Sequence, residues 1–180
     1  MAISTKSLDY EQAGQTYEGF LAMPEGKPKA VVVVCHAWGG QDQFDHEKAK
    51  MLAEWGYAGF ALDVYGKGKR GTTKEESQAL MEPLASNRSE LQNRLKLSLE
   101  TAKKESGCDK AAAIGFCFGG LCVLDMARAE EDGLINLNDE ALFDVPFWNE
   151  VMELGPDTWS SLRARLTEIA QANPEPVMID

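Results

Sequence analysis

The stretch AAAIGFCFGGLCVLDMARAE, from Ala111 to Glu130, decides the fold. A short apolar run ends in Gly115-Phe116-Cys117-Phe118-Gly119, and an amphipathic stretch follows at once, which reads as a strand running straight into a helix. A chain that makes this reversal at one residue pushes that residue toward positive φ, a costly conformation for anything with a side chain. The positions two before and two after are then crowded together, so Gly115 and Gly119 are read as sites that must lack a Cβ. Cys117 in return projects beyond the carboxyl end of the sheet. It also sits at a helix start, where partial positive charge favours an anionic sulfur. Gly-x-Cys-x-Gly in this setting is the nucleophile-elbow pattern with cysteine at its centre. A small packing cysteine beside a glycine contact is the competing reading, and the flanking strand and helix favour the elbow.

Working outward, KAVVVVC (29–35) is a nearly continuous β-branched run, the mark of a strand buried on both faces of a parallel sheet. Tyr57 to Leu62 reads as a second buried strand with Asp63 just past its end, and Lys110 to Gly115 as a third. Between them, residues 45–55 space Ala49, Leu52, Ala53 and Trp55 helically and stop at Gly56. Residues 89–106 place Leu91, Leu95, Leu99 and Ala102 on one face, with Gly107 closing the helix. Lys67 to Asn87 reads as a loop carrying a short helix, and TYEGFLAMPEG (16–26) as an edge hairpin. Strands alternating with helices predict βαβ units and a mostly parallel sheet, with the three apolar runs adjacent.

Near Ala129 the character changes. Residues 130–139 read as a turn and short strand, and two short helices follow on either side of Gly155-Pro156. The expected organisation is a partial α/β domain over 1–129 and an unrelated tail over 130–180. Unless the tail covers the outer edge of the strand from Lys110 to Gly115, weak stability or a homo-oligomer through that exposed edge is expected.

A formal charge of −11 and a pI near 4.7 argue against nucleic acid and anionic membrane as partners. No apolar run approaches the roughly 20 residues of a membrane span, and the first 20 residues lack a secretory pattern. The four cysteines, Cys35, Cys108, Cys117 and Cys122, form no CxxC pair, and the histidines are His36 and His46 alone. No metal and no cofactor are implied. A reduced-thiol, cytoplasmic protein with a small-molecule substrate is expected.

VVCHAWGG (33–40) supplies the complement to the elbow. In elbow enzymes one oxyanion donor is the N–H after the nucleophile and the other comes from the loop after an earlier central strand. Those are the N–H groups of Phe118 and Ala37. His36 reads either as a loop imidazole that packs or caps, or as a substitute base at the mouth of the sheet; no third group is evident to fix its tautomer, Asp42 and Asp63 being the candidates to lie near it.

VVVVCHAWGGQDQF, EKAKMLAEWGYAGFALDVYGKG and AAIGFCFGGLCVLDMAR together resemble the dienelactone hydrolase family of α/β-hydrolases, in order and spacing, over about residues 8–128. The resemblance implies a truncated α/β-hydrolase-like parallel sheet with flanking helices, followed here by a small, mostly helical C-terminal tail. It also implies a Cys-Asp-His triad in which Cys117 attacks a lactone or carboxylic ester, an acyl-enzyme forms, and water releases the acid. This chain departs from the family where His36 stands in place of a glutamate that restrains the resting thiol. No arginine for a substrate carboxylate is evident between Gly71 and Asn87, and no histidine follows His46 to complete the triad. Residues about 131–171 resemble part of the N-terminal domain of fumarylacetoacetases, a resemblance that brings no catalytic residue. Two function classes follow: a cysteine hydrolase, or a catalytically impaired remnant acting as a binding or oligomerisation module. A third reading makes Cys117 a redox-sensing thiol, without a resolving-cysteine pattern beside it.

Overall fold

Among the residues described by the computed structural model, 2–129, five strands form one mixed sheet. They lie within Met1–Leu137, the first of the two units into which the chain divides. The expectations for residues 130–180, including the tail helices and any cover for the sheet edge, lie outside the described residues.

In chain order the elements are β1 (Ile3–Gln12), β2 (Gln15–Pro24), β3 (Val31–Cys35), α1 (Gln43–Glu54), β4 (Ala58–Ala61), α2 (Lys74–Ser86), α3 (Arg88–Ser106), β5 (Ala111–Gly115) and α4 (Phe118–Arg128). The strand order is β1-β2-β4-β3-β5. The three apolar runs are adjacent and parallel as predicted: β4 pairs with β3, and β3 pairs with β5 from Val31 opposite Ala111 to Cys35 opposite Gly115. β1 and β2 make a long antiparallel hairpin, and β2 is not the edge, because it also pairs antiparallel with β4. The hairpin turns at Ala13-Gly14, both at positive φ, a two-residue turn that matches strand twist. Among the described residues β5 pairs only with β3.

All five residues of β3 are buried, which is why its sequence does not alternate. Val31, Val33 and Cys35 join a core with Leu91, Leu95 and Leu99 of α3 and Cys122 and Met126 of α4. Val32 and Val34 are equally buried, and α1, whose Ala49 and Ala53 are buried, packs against β3 and β4. Each fully buried leucine contributes on the order of 2 kcal/mol of transfer free energy. α3 ends as its sequence predicts, with Gly107 left-handed at φ 68°.

α2 is a correction: the stretch read as a loop with a short helix holds a 13-residue helix. A reciprocal capping box starts it, with the Thr73 side chain accepting from the Glu76 N–H and the Glu76 carboxylate accepting from the Thr73 N–H. α1 starts in the same way with Asp42 and Asp45.

Candidate active site

The parallel pairing of β3 with β5 brings both candidate loops to one carboxyl edge, because Cys35 and Gly115 are the last residues of paired strands. Cys117 has φ 56°, and Ala13 in the hairpin turn is the one other non-glycine residue at positive φ among those described. The elbow closes through backbone bonds: the Gly119 N–H donates to the Phe116 carbonyl and the Gly120 N–H to the Cys117 carbonyl, each at 2.9 Å. A Cβ on Gly115 would run into the Gly119 carbonyl. A Cβ on Gly119 would run into the Cys35 carbonyl and stand 3.0 Å from that of His36. The crowding expected around the cysteine is thus present, and it extends to the end of β3.

Cys117 is exposed, whereas Cys35, Cys108 and Cys122 are buried free thiols. Burial pushes the Cys122 thiol up to about 12, with the Asp125 carboxylate adding to it. Burial likewise raises Cys35 well above the ordinary thiol range. No described residue hydrogen-bonds to the Cys117 sulfur. The N–H groups of Phe118 and Ala37, the first on the helix start and the second on the loop after β3, also lack acceptors among the described residues.

His36 is placed differently from the sequence expectation. It is 1% exposed, so it is not a base standing at the mouth. Its Nδ1–H donates to the Ala37 carbonyl at 2.6 Å, and its Nε2 accepts the Val64 N–H at 3.3 Å. A carbonyl can only accept and an N–H can only donate, so the two partners set the tautomer and occupy both ring nitrogens. Desolvation lowers its pKa to about 4, against smaller opposing effects of the Ala37 carbonyl and Asp63. Backbone groups, not Asp42 or Asp63, orient the ring directly. Asp42 caps α1, and Asp63 organises the β4 exit by accepting the N–H groups of Tyr65, Gly66 and Glu18. His46 stacks on Phe20 at 4.2 Å and shares a hydrogen bond with the Gln41 side chain.

One residue passed over in the sequence is Tyr65. It is 3% exposed, its hydroxyl donates to the Trp38 carbonyl at 2.9 Å, and its ring packs in a three-ring cluster with His36 and Phe118. The available signal was its place, in Asp63-Val64-Tyr65-Gly66, at the carboxyl end of a central strand.

Among the described residues no group of three or more His, Cys, Asp or Glu side chains could hold a metal ion. No described helix is long and apolar enough to cross a membrane.

Residues 17–136 match the dienelactone hydrolase family, and residues 102–179 match the fumarylacetoacetase N-terminal family. The two matches overlap, so the second begins well before the junction expected near Ala129. No curated protein matches the chain. Among solved structures, the protein named m3DLH is 30% identical with a TM-score of 0.70, the alignment covering 74% of this chain and 57% of that one. A dienelactone hydrolase-like promiscuous phosphotriesterase from metagenomic libraries is 26% identical with a TM-score of 0.67, covering 72% and 55%. A cold-adapted esterase from an Arctic intertidal metagenomic library shares the fold at 19% identity and a TM-score of 0.57, covering 68% and 54%. The chain thus spans little more than half the length of the solved relatives it matches. With an elbow of this geometry and a family match over more than half of its length, the chain belongs to the dienelactone hydrolase family.

Proposed function

We propose that this chain is a carboxylic ester or lactone hydrolase that works through Cys117. The observation that carries the reading is an exposed cysteine held at φ 56° on a strand-to-helix turn, a backbone conformation that serves to present a side chain. The sulfur attacks the carbonyl carbon, a C–S bond forms, and the carbonyl electron pair moves onto oxygen. The Phe118 and Ala37 N–H groups receive that oxyanion. Each such donor contributes on the order of a hundredfold in rate. Collapse breaks the C–O bond, the alcohol leaves with the thiol proton, and water then releases the acid and restores the thiol.

Deacylation is the weak step of this scheme. His36 and His46 are both committed to packing and hydrogen bonds. A missing triad member costs on the order of 10⁴-fold in rate. That commitment of His36 favours a second reading, in which the chain accepts an acyl group but turns over little and acts as a binding or assembly module.

Mixing the protein with 4-nitrophenyl acetate tests both. A burst of 4-nitrophenolate equal to the protein concentration, an acetyl group on the Cys117 peptide, and loss of both in Cys117→Ala are expected. Continued release after the burst supports the hydrolase, and a burst alone supports the second reading. No burst, or an unchanged burst in Cys117→Ala, sinks the nucleophile.

A further inference from the structure

The two oxyanion donors come from separate parts of the chain, Ala37 from the loop after β3 and Phe118 from the start of α4. Backbone bonds fasten each only within its own neighbourhood. The Gly40 N–H donates to the Ala37 carbonyl at 3.1 Å, and the Gly119 and Gly120 N–H groups close the elbow. Tyr65 reaches both sides. Its hydroxyl donates to the carbonyl of Trp38, the residue after Ala37, at 2.9 Å. Its ring stacks on that of Phe118, with centroids 6.0 Å and planes 20° apart. The same ring meets His36 at 4.7 Å with the planes tilted by 58°, and His36, itself 6.3 Å from the Phe118 ring, holds the Ala37 carbonyl. Tyr65 is itself anchored, since its N–H donates to the buried Asp63 carboxylate at 2.9 Å.

We propose that Tyr65 is the positioning residue of the oxyanion hole, setting the separation of the Ala37 and Phe118 N–H groups by a hydroxyl bond on one side and ring stacking on the other. The inference rests on the acyl-transfer reading of Cys117. The Tyr65 hydroxyl is spent on the Trp38 carbonyl, and among the described residues no hydrogen bond joins it to the Cys117 sulfur. Tyr65 acts on the geometry of two donors whose value depends on meeting the oxyanion at hydrogen-bond distance.

The test uses two reactions of the same sulfur. Acetylation by 4-nitrophenyl acetate passes through an oxyanion: the C–S bond forms, 4-nitrophenolate leaves, and the thiol proton passes to solvent. Carboxamidomethylation by iodoacetamide forms a C–S bond, expels iodide and sheds the same proton without an oxyanion. Tyr65→Phe keeps the ring and removes the bond to Trp38. Its acetylation rate is expected to fall about tenfold while its alkylation rate stays within about twofold. A looser fold or a changed thiol would move both rates together. Should Tyr65→Phe fail to fold, Phe118→Leu keeps the N–H and removes the stacking, and the same one-sided loss is expected. An unchanged ratio of the two rates in a folded variant would overturn the inference alone. Failure of wild-type Cys117 to acetylate would overturn the acyl-transfer reading and this inference with it.

Discussion

Cys35 and Gly115 face one another as the last rung of the parallel pairing between β3 and β5. From that rung one chain turns into the loop carrying His36 and Ala37, and the other into the elbow carrying Cys117 and Phe118. Gly119 then leans back against the Cys35 carbonyl, so closely that only a residue without a Cβ fits. The site is a consequence of two strands ending together.

Alanine at either elbow glycine therefore forces backbone apart from backbone. Gly115→Ala and Gly119→Ala are each expected to lower unfolding stability by about 3 kcal/mol or more. Gly120→Ala is the control, because an added methyl there meets nothing within 4 Å inside α4. It should gain up to about 1 kcal/mol from helix propensity. Urea titrations of the three variants measure this, and equal midpoints for Gly119→Ala and Gly120→Ala would refute the close crossing.

The four thiols should separate cleanly in a labelling experiment. With iodoacetamide at pH 7 under native conditions, Cys117 is expected to react first, with Cys35, Cys108 and Cys122 modified only after unfolding. Peptide mapping at successive times reads the order. Earlier labelling of Cys108 or Cys122 would count against the elbow.

Two buried groups should pull the pH dependence of stability in opposite directions. Burial raises the Asp45 carboxyl to about 7, so the folded state holds a proton that the unfolded chain, at 3.8, gives up. Stability from this group is full below pH 4 and is lost as pH rises through 7. His36 is lowered to about 4 from 6.5, so its contribution is full above pH 6.5 and is lost as pH falls through 4. The wild type is expected to be comparatively flat between pH 4 and 7. Asp45→Asn should lose stability on acidification across that window, while His36→Asn should gain it, each by up to about 3 kcal/mol. Melting curves from pH 4 to 8 decide the matter, and parallel profiles for the two variants would contradict it.

α3 and α4 are joined by the guanidinium of Arg88, which bonds both oxygens of the Asp125 carboxylate. Asp125 is 2% exposed, so Arg88→Met takes a bidentate guanidinium away from a buried carboxylate and should cost about 3 kcal/mol. Arg88→Met/Asp125→Leu should regain most of that loss, since the desolvated charge is gone. A double variant no more stable than Arg88→Met would show that the pair does not couple.

The three central strands, α3 with its glycine stop and the elbow itself were legible in the sequence because each is a local pattern. A β-branched run, a leucine repeat every four residues and Gly-x-Cys-x-Gly all report backbone conformation within a few residues of themselves. α2 was legible too, through Thr73 and Glu76, but its lysine- and glycine-rich surroundings masked the capping pair. What only the tertiary structure decided was how contacts between distant segments settle the site. His36 stands beside the site in sequence, yet the Val64 N–H, 28 residues away, takes the lone pair that a base would need. Tyr65 was an unremarked residue after a strand until folding placed its hydroxyl on Trp38 and its ring on Phe118, 53 residues away in the chain. Side-chain identity along the chain names what a group could do, and long-range hydrogen bonding determines whether its proton or lone pair is still free to do it.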